Sequence, residues 1–281
     1  MKIRAHAKIN LALDVVRRRE DGYHELDMVM TPIELHDLIY IDKIEKGIEI
    51  TSNSYKVPTD ERNIMYKVAK ILIDRFHIDQ GIKIHIYKHI PTQAGLAGGS
   101  ADGAAVLKAM NWMFHLGLTF KELAEIGKEV GADIPFCVYE RMAVVKGIGE
   151  KLDFINSDFD CYVMLVKPKK GVSTPKAFQS LDLENAIHPY IEEIKEGIIT
   201  NDYEKVVNHL GNTLEKPSIK MVKQIEEIKQ DLLELGFDGA LMSGSGSCVF
   251  GLTQNKEIMD KSYNTLKNKY FYVRKSKIYK K

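Results

Sequence analysis

The segment between residues 82 and 113 constrains the fold most, because it combines a strand, a glycine-rich loop and a helix. Isoleucines alternate with polar residues over positions 82–90, which is the pattern of a half-buried strand. Apolar side chains recur at helical spacing from about residue 101 onward. Glycines 95, 98 and 99 lie between these two patterns and let the backbone approach a ligand closely. With further strands earlier in the chain, this arrangement predicts an α+β fold.

The loop at residues 91–100 has the character of an anion site. The helix that follows it directs free N–H groups and the positive end of its dipole toward the loop, a combination that binds phosphate. No lysine precedes Ser100, so the loop is not the common G-x-x-x-x-G-K-[ST] motif, and no G-x-G opens it as in a dinucleotide fingerprint. We expect Ser100 at the helix cap, with its hydroxyl facing a phosphate or a metal. The alternative is a flexible turn that Ser100 caps in the ordinary way.

Composition excludes several classes of protein. The 281 residues are 44% apolar and 28% charged, enough to bury a core, and the net charge of +1 calls for neither a nucleic-acid nor a membrane partner. The three cysteines are odd in number and form no C-x-x-C pair, which disfavours a disulfide framework and a zinc site. The N-terminal residues lack the apolar core of a signal peptide, so we expect a cytoplasmic protein.

Periodicity predicts the remaining elements. In the first half we expect strands over residues 8–16 and 28–50, with turns near 36–37 and 46–47, and a helix over 63–76. Thr119 and Glu122 predict a capping box. In the second half we expect a strand over 161–166, helices over 190–198, 203–210, 219–235 and 256–267, and a last strand over 271–275. The predicted domains are residues 1–158 and 159–281.

Three further motifs carry polar groups. Lys8 and Asn10 alternate with apolar residues in a strand and therefore share one face, which either meets solvent or lines a cleft. Asp133 precedes Pro135 at a predicted helix start, where it is either a plain N-cap or a carboxylate available as a general base. The Gly/Ser segment at residues 243–247 is either a turn between strands or a second set of N–H donors for the same ligand.

Taken in order, these motifs resemble the GHMP kinase superfamily. Residues 7–11, 91–100 and 243–247 are similar to its three ordered motifs, and residues 21–24, 131–135 and 171–175 extend the likeness, which covers about residues 4–252. The resemblance implies an N-terminal domain like the second domain of ribosomal protein S5 and a ferredoxin-like C-terminal domain, with the active site in the cleft between them.

The resemblance also implies a function. It implies an ATP-dependent kinase, and the Asp-Gly-Tyr-His motif at 21–24 points to phosphorylation of the 2-hydroxyl of a cytidine-diphosphate methylerythritol in non-mevalonate isoprenoid synthesis. Asp133 would take the hydroxyl proton and Lys8 would stabilise the alkoxide. Substrate contacts are implied for Asn10, Tyr23, His24, Thr174 and Phe178. ATP contacts are implied for Asn63, Pro91, Thr92, Gln93, Ala94, Gly95, Leu96, Ala97, Gly98, Gly99, Ser100 and Ala101.

Some expectations remain open at this stage. Mg²⁺ is expected with ATP, but no paired acidic ligand is visible, and the chain is expected to be a monomer or a homodimer. Gln93, Ala97 and Ala101 stand where the superfamily motif usually has glycine, glycine and serine. The alternatives are another kinase of the superfamily, of the homoserine or mevalonate type, or a nucleotide-binding regulator without catalysis, which the presence of both Lys8 and Asp133 disfavours. The aromatic residues Tyr23 and Phe178 either stack on the cytosine or belong to the core.

Overall fold

The computed structural model describes residues 1–281 as a succession of eleven strands and ten helices. The strands are β1 (Lys2–Arg18), β2 (His24–Ile44), β3 (Ile48–Ser52), β4 (Gly81–Tyr87), β5 (Ala143–Gly147), β6 (Lys151–Phe154), β7 (Tyr162–Lys167), β8 (Gly211–Asn212), β9 (Gly239–Met242), β10 (Val249–Thr253) and β11 (Tyr272–Lys277). The helices are α1 (Ile64–Arg75), α2 (Gly98–Met113), α3 (Phe120–Lys128), α4 (Ile134–Tyr139), α5 (Thr174–Gln179), α6 (Ile191–Thr200), α7 (Tyr203–Asn208), α8 (Glu215–Met221), α9 (Gln224–Glu234) and α10 (Lys256–Lys269).

The chain forms two compact units, each assembled from several segments. The first unit comprises Met1–Ala7, Leu35–Thr92 and Ala97–Glu140, and the second comprises Lys8–Glu34, Gln93–Leu96 and Arg141–Lys281. Strands β1 and β2 contribute residues to both units. The predicted domain boundary between residues 158 and 159 stays a prediction. No helix has the length and apolar character that crossing a membrane requires.

Two sheets organise the strands. Seven strands form one sheet, in the order β3-β4-β2-β1-β8, with β5 paired to β2 and to β6. The second sheet is antiparallel, in the order β11-β7-β10-β9, and lies within the second unit. Helices and strands are thus mixed in both halves of the chain, and the α+β prediction is confirmed.

The helices of the first unit pack against one another through apolar and small residues. Helix α1 begins at Asn63, whose Oδ1 accepts a hydrogen bond from the Met65 N–H at 2.8 Å, and it buries its apolar face. A Cβ at Gly103 of α2 would collide with Ile64, so this glycine permits the close approach of α1 and α2. The capping box of Thr119 and Glu122 is present at the start of α3, as predicted.

Two predicted boundaries are wrong. Strand β2 runs without a turn through residues 36–37, because Asp37 is fully buried and accepts hydrogen bonds from the backbone N–H groups of His89 and Ile90 at 2.5 and 2.8 Å. The predicted helix over 219–235 is two helices, α8 and α9, because Val222 leaves the helical conformation with φ −141° and buries its side chain.

Candidate active site

The glycine-rich loop leads directly into the first turn of α2. The helix begins at Gly98, three residues before the predicted start, and its N-cap is Ala97 in the left-handed conformation with φ 54°. Ser100 therefore lies inside the helix, and the prediction that it caps the helix is wrong. No side chain caps α2, so the first N–H groups lack a side-chain acceptor at the positive end of the helix dipole. This arrangement is suited to bind an anion.

Two non-glycine residues of the loop adopt backbone conformations that favour glycine. Gln93 has φ 53° and Ala97 has φ 54°. Both are positions where the superfamily motif usually has glycine. The loop thus keeps its geometry at a cost in backbone strain of about 1–2 kcal/mol per residue.

Gly95 brings the glycine loop and the Gly/Ser segment at residues 243–247 together within the second unit. A Cβ at Gly95 would run into the carbonyl group of Ser243, and the Ser243 hydroxyl donates to the Gly95 carbonyl oxygen at 3.0 Å. The Cys248 N–H donates to the Ala94 carbonyl oxygen at 3.2 Å. The segment at 243–247 is therefore more than a turn between strands, because it packs against the glycine loop and hydrogen-bonds to it.

Lys8 and Asn10 are buried in strand β1. Lys8 is 4% and Asn10 0% exposed, which excludes the alternative that the pair faces solvent. Lys8 Nζ donates to Asn10 Oδ1 at 2.6 Å, and the Lys8 N–H donates to the Leu96 carbonyl oxygen at 3.2 Å. A buried ammonium is costly unless hydrogen-bonded, so these contacts fix both the position and the direction of the charge.

Asp133 lies at the start of α4 in the first unit. Its φ and ψ are −82° and −11°, and its side chain makes no capping hydrogen bond. Asp133 therefore occupies the N-cap position, but its side chain does not cap the helix. Pro135 stands in the first turn, as predicted. The carboxylate is left half-buried and able to accept a proton or a hydrogen bond from a ligand.

The residues predicted to contact the substrate base lie in the second unit. The rings of His24 and Phe178 pack with centroids 4.9 Å apart and planes 32° apart. Tyr23 is 61% exposed, so it is not a core aromatic, and its own N–H donates to Asp21 Oδ1 at 3.1 Å. Thr174 Oγ1 and Ser245 Oγ are 2.7 Å apart. The ring against Phe178 is thus that of His24 rather than that of Tyr23.

Burial, and then the charge of Arg18, lower the pKa of His24. The imidazole is therefore neutral at neutral pH, with one ring nitrogen as a donor and the other as an acceptor.

Comparison with known proteins decides the family. The family models of the GHMP kinases N-terminal domain and C-terminal domain match residues 63–141 and 190–272. A curated relative from Bacillus cytotoxicus, named 4-diphosphocytidyl-2-C-methyl-D-erythritol kinase, is 44% identical over 94% of this chain and 92% of its own length. The chain belongs to the GHMP kinase family.

Other relatives agree with this assignment. A protein of the same name from Clostridium tetani is 43% identical over 99% of both chains. A crystal structure of 4-(cytidine 5'-diphospho)-2C-methyl-D-erythritol kinase superposes with a TM-score of 0.86 at 28% identity, covering 100% of both chains. Homoserine kinase from Cytophaga hutchinsonii, with a TM-score of 0.77 at 20% identity, shares the fold. The resemblance and the fold class predicted from the sequence are confirmed, and as a GHMP kinase the chain uses ATP.

Asn212 and Glu215 of this GHMP kinase were missed by the sequence reasoning. Asn212 Nδ2 donates to the carbonyl oxygens of Met242 and Gly244, at 2.8 Å each. Glu215 Oε1 accepts from the Met242 N–H at 2.9 Å. Both side chains therefore hold the Gly/Ser segment in place through hydrogen bonds to its backbone and to that of Met242. A glycine followed by an asparagine is only a turn signal in the sequence, so nothing local indicates this role.

A buried charge cluster, also missed, links both ends of the glycine loop in the first unit. Lys88, which precedes the loop, donates to Asp37 Oδ2 and to Asp102 Oδ2, and Asp102 follows the loop in α2. Burial raises the pKa of the Asp102 carboxyl. The positive charge of Lys88 opposes this rise, and the negative charge of Asp37 adds to it. Asp102 Oδ1 is buried without a hydrogen-bond partner. The cluster fixes α2 to the end of β4.

Asn63, predicted to contact ATP, has both ends of its amide engaged in the fold. Its Oδ1 caps α1 and its Nδ2 donates to the Pro58 carbonyl oxygen at 2.5 Å. A contact with ATP would therefore use the second lone pair of Oδ1 or the second N–H of Nδ2.

The structure holds no group of three or more His, Cys, Asp or Glu side chains that could bind a metal ion. The loop instead offers N–H donors, which suit an anion. N–H groups bind phosphate but cannot coordinate a cation, so a Mg²⁺ ion bound with ATP would take oxygen ligands from the phosphates and from water.

Proposed function

We propose that this GHMP kinase transfers the γ-phosphoryl group of ATP to the 2-hydroxyl of 4-diphosphocytidyl-2-C-methyl-D-erythritol, giving the 2-phosphate and ADP. The observation that carries the proposal is 44% identity over 94% of the chain to a relative of that name. The reaction belongs to the non-mevalonate synthesis of isoprenoid precursors. The structural likeness to homoserine kinase, at 20% identity, supports the fold alone and does not favour that alternative.

Asp133 is the general base of the proposed reaction. Its carboxylate makes no cap hydrogen bond, so its lone pairs are available for the proton of the substrate 2-hydroxyl. The substrate oxygen then forms a bond to the γ-phosphorus while the bond from that phosphorus to the bridging oxygen breaks, and ADP leaves with the electron pair. The proton remains on Asp133 until solvent accepts it.

Lys8 stabilises the negative charge that develops on the attacking oxygen. The hydrogen bond from Nζ to Asn10 Oδ1 at 2.6 Å supports this role, because it holds the ammonium in one rotamer before substrate binds. Asn10 keeps its own amide nitrogen directed at Met28 Sδ, at 3.4 Å. A preorganised cation requires no rearrangement during the reaction.

The phosphates of ATP bind at the glycine loop, residues 91–101. The uncapped N–H groups of the first turn of α2 stabilise the charge on the transferring phosphoryl group. Mg²⁺ bound with ATP would neutralise phosphate charge, and the hydroxyl of Ser100 is the side-chain oxygen that the loop could add to its ligands.

The cytosine is recognised by His24, Tyr23 and Phe178. The half-exposed ring of Phe178 and the exposed ring of Tyr23 offer apolar faces, and base–aromatic stacking contributes about 1–3 kcal/mol per base. Stacking does not distinguish bases, so selectivity comes from the edge. A neutral His24 presents one donor and one acceptor, which suit the ring nitrogen and amino group of cytosine.

We further infer that the enzyme works in the cytoplasm as a monomer or homodimer and binds no nucleic acid. The near balance of 40 basic and 39 acidic side chains supports the last point, since nucleic-acid binding rests on excess positive charge.

A coupled assay of ADP release tests the proposal. With ATP and Mg²⁺, the cytidine-diphosphate methylerythritol should be turned over, while mevalonate and homoserine should give no more ADP than the blank. Asp133→Asn should fold and lower kcat by about 10²-fold or more, in line with the loss of a general base. Turnover of homoserine or mevalonate in place of the cytidine compound would overturn the substrate assignment, and an active Asp133→Asn enzyme would overturn the base assignment alone.

A further inference from the structure

Three polar side chains, those of His6, Lys108 and Glu140, form a buried cluster in the first unit that the proposed mechanism does not use. Glu140 Oε1 lies 3.0 Å from His6 Nδ1, and Glu140 Oε2 accepts a hydrogen bond from Lys108 Nζ at 2.7 Å. The side chains of His6 and Glu140 are 6% and 9% exposed. Because an ionised carboxylate only accepts hydrogen bonds, His6 carries its proton on Nδ1. Both carboxylate oxygens of Glu140 are thus engaged.

The backbone of Glu140 makes this cluster unusual. Glu140 ends α4 in the left-handed conformation, with φ 51° and ψ 47°, and its N–H donates to the Phe136 carbonyl oxygen. Glycine is the residue that this conformation favours, because a Cβ introduces strain there. A strained glutamate persists only where its surroundings hold it. The hydrogen bonds of its carboxylate with His6 and Lys108 supply that hold.

Glu140 is a permanent anion. Burial alone would raise the pKa of its carboxyl, but the hydrogen bond from His6 and the charge of Lys108 outweigh burial and lower the pKa to about 2. The carboxylate therefore stays ionised at every pH at which the enzyme is expected to work. It is suited to fix neighbouring elements rather than to carry a proton.

We infer that Glu140 is a positioning residue for phosphoryl transfer, and that through His6 in β1 and Lys108 in α2 it anchors the end of the helix whose start carries Asp133. Asp133 lies seven residues before Glu140, about 10 Å along a helix with a rise of 1.5 Å per residue. The inference rests on the proposed role of Asp133 as the base.

The N-terminal end of α4 is held by packing rather than by a capping hydrogen bond, because Ile134 is fully buried and lies against Gly127 of α3. Asp133 makes no capping bond, and the helix is only six residues long. Packing therefore holds the first end of the helix and the Glu140 cluster holds the last, so the position of the Asp133 carboxylate depends on both. His6 also precedes Lys8 by two residues in β1, so the same cluster restrains the strand that carries the catalytic lysine.

Two substitutions at Glu140 test the inference. Glu140→Gln removes the charge, and Glu140→Gly removes the side chain while relieving the backbone, so at least the second should fold. Both should lower kcat about tenfold to a hundredfold, because small displacements of a reacting group have effects of this size. KM for ATP and for the cytidine substrate should change less than twofold. Lys108→Met should reproduce the loss and Lys108→Arg should preserve activity.

Glu129→Gln is the matched control, since it removes the exposed ion pair of Arg75 and Glu129 in the same unit. Its kcat should equal that of the unmodified enzyme. A purely structural role of Glu140 would instead lower the melting temperature while kcat of the folded fraction stayed normal, and that result would overturn the inference.

A double-mutant cycle separates this inference from the proposed function. If Glu140 acts through Asp133, the variant with both Glu140→Gly and Asp133→Asn should have the residual kcat of Asp133→Asn alone, because effects on one catalytic unit are not additive. Additive losses would overturn the inference and leave Asp133 as the base. Normal turnover of Asp133→Asn would instead remove the base assignment on which the inference rests.

Discussion

At the scale of single residues, the loop that leads into α2 stores strain at a defined position. Ala97 caps the helix with φ 54°, a conformation in which its Cβ approaches the following carbonyl. Ala97→Gly should therefore stabilise the protein by about 0.5–1 kcal/mol, the relief of strain exceeding the added entropy of the unfolded chain. The midpoint of urea unfolding should rise with an unchanged m-value.

Lys121→Gly is the control for Ala97→Gly, and here glycine should destabilise the protein. Lys121 is exposed within α3, where the backbone is helical, so glycine should destabilise the protein by about 1 kcal/mol relative to a good helix former. Stabilisation at both positions, or destabilisation at both, would contradict the assignment of strain to Ala97.

The sequence indicated candidate site residues but not their surroundings. Alternation placed Lys8 and Asn10 on one face, and the structure shows that this face is buried. The sequence could not show that Ser100 lies inside α2. The helix begins earlier because Ala97 adopts a left-handed conformation, and an alanine in the sequence does not predict that conformation. Nor could it show that a Cβ at Gly98 would meet Ile90 and Lys88, at 2.9 and 3.0 Å, so that this glycine serves packing within the protein.

At the scale of elements, the Gly/Ser segment after β9 depends on a clamp from a distant strand. Asn212→Ala would leave the carbonyl oxygens of Met242 and Gly244 without the amide donor that each now has. The loss of these two part-buried hydrogen bonds should cost about 1 kcal/mol of stability or more. Because this segment supports Gly95, kcat/KM for ATP should also fall.

Asn111 offers a matched control in the first unit. Its amide closes a different loop by donating to the Leu118 carbonyl oxygen and accepting from the Leu118 N–H, at 2.9 Å each. Asn111→Ala should lower stability to a similar degree, measured by urea unfolding, yet leave kcat/KM for ATP unchanged. Equal kinetic losses in the two variants would show that general destabilisation, rather than the clamp, is responsible.

Elements with strong periodicity were predicted closely, and the errors have a common cause. Helix α1 and strand β4 follow the isoleucine and leucine spacing of the sequence. The turn predicted at residues 36–37 failed because the partners of Asp37 lie 51 to 53 residues away in the chain. The cluster of Glu140 with His6 likewise spans 134 residues. Local patterns carry no information about such pairings.

At the scale of the whole molecule, ATP and the cytidine substrate should stabilise the protein through different residues. A ligand that binds only the folded state raises the free energy of unfolding by RT ln(1 + [L]/Kd), which is about 2.7 kcal/mol at a ligand concentration of a hundred times Kd. Each ligand alone should therefore raise the melting temperature. The test uses one variant for each ligand.

In the Gly99→Val variant, ATP should no longer raise the melting temperature, whereas the cytidine compound should still raise it. Gly99 is exposed in the first turn of α2, and an added Cβ would meet only Ile64 Cδ1 at 3.3 Å, so the fold should tolerate valine while the branched side chain obstructs phosphate. Phe178→Ala should show the reverse pattern, because it removes the half-exposed ring that we propose stacks on the base. Differential scanning fluorimetry with each ligand alone measures both. If either variant loses both responses, the separation of the two sites assigned here is wrong, since each substitution would then disturb the fold that both ligands require.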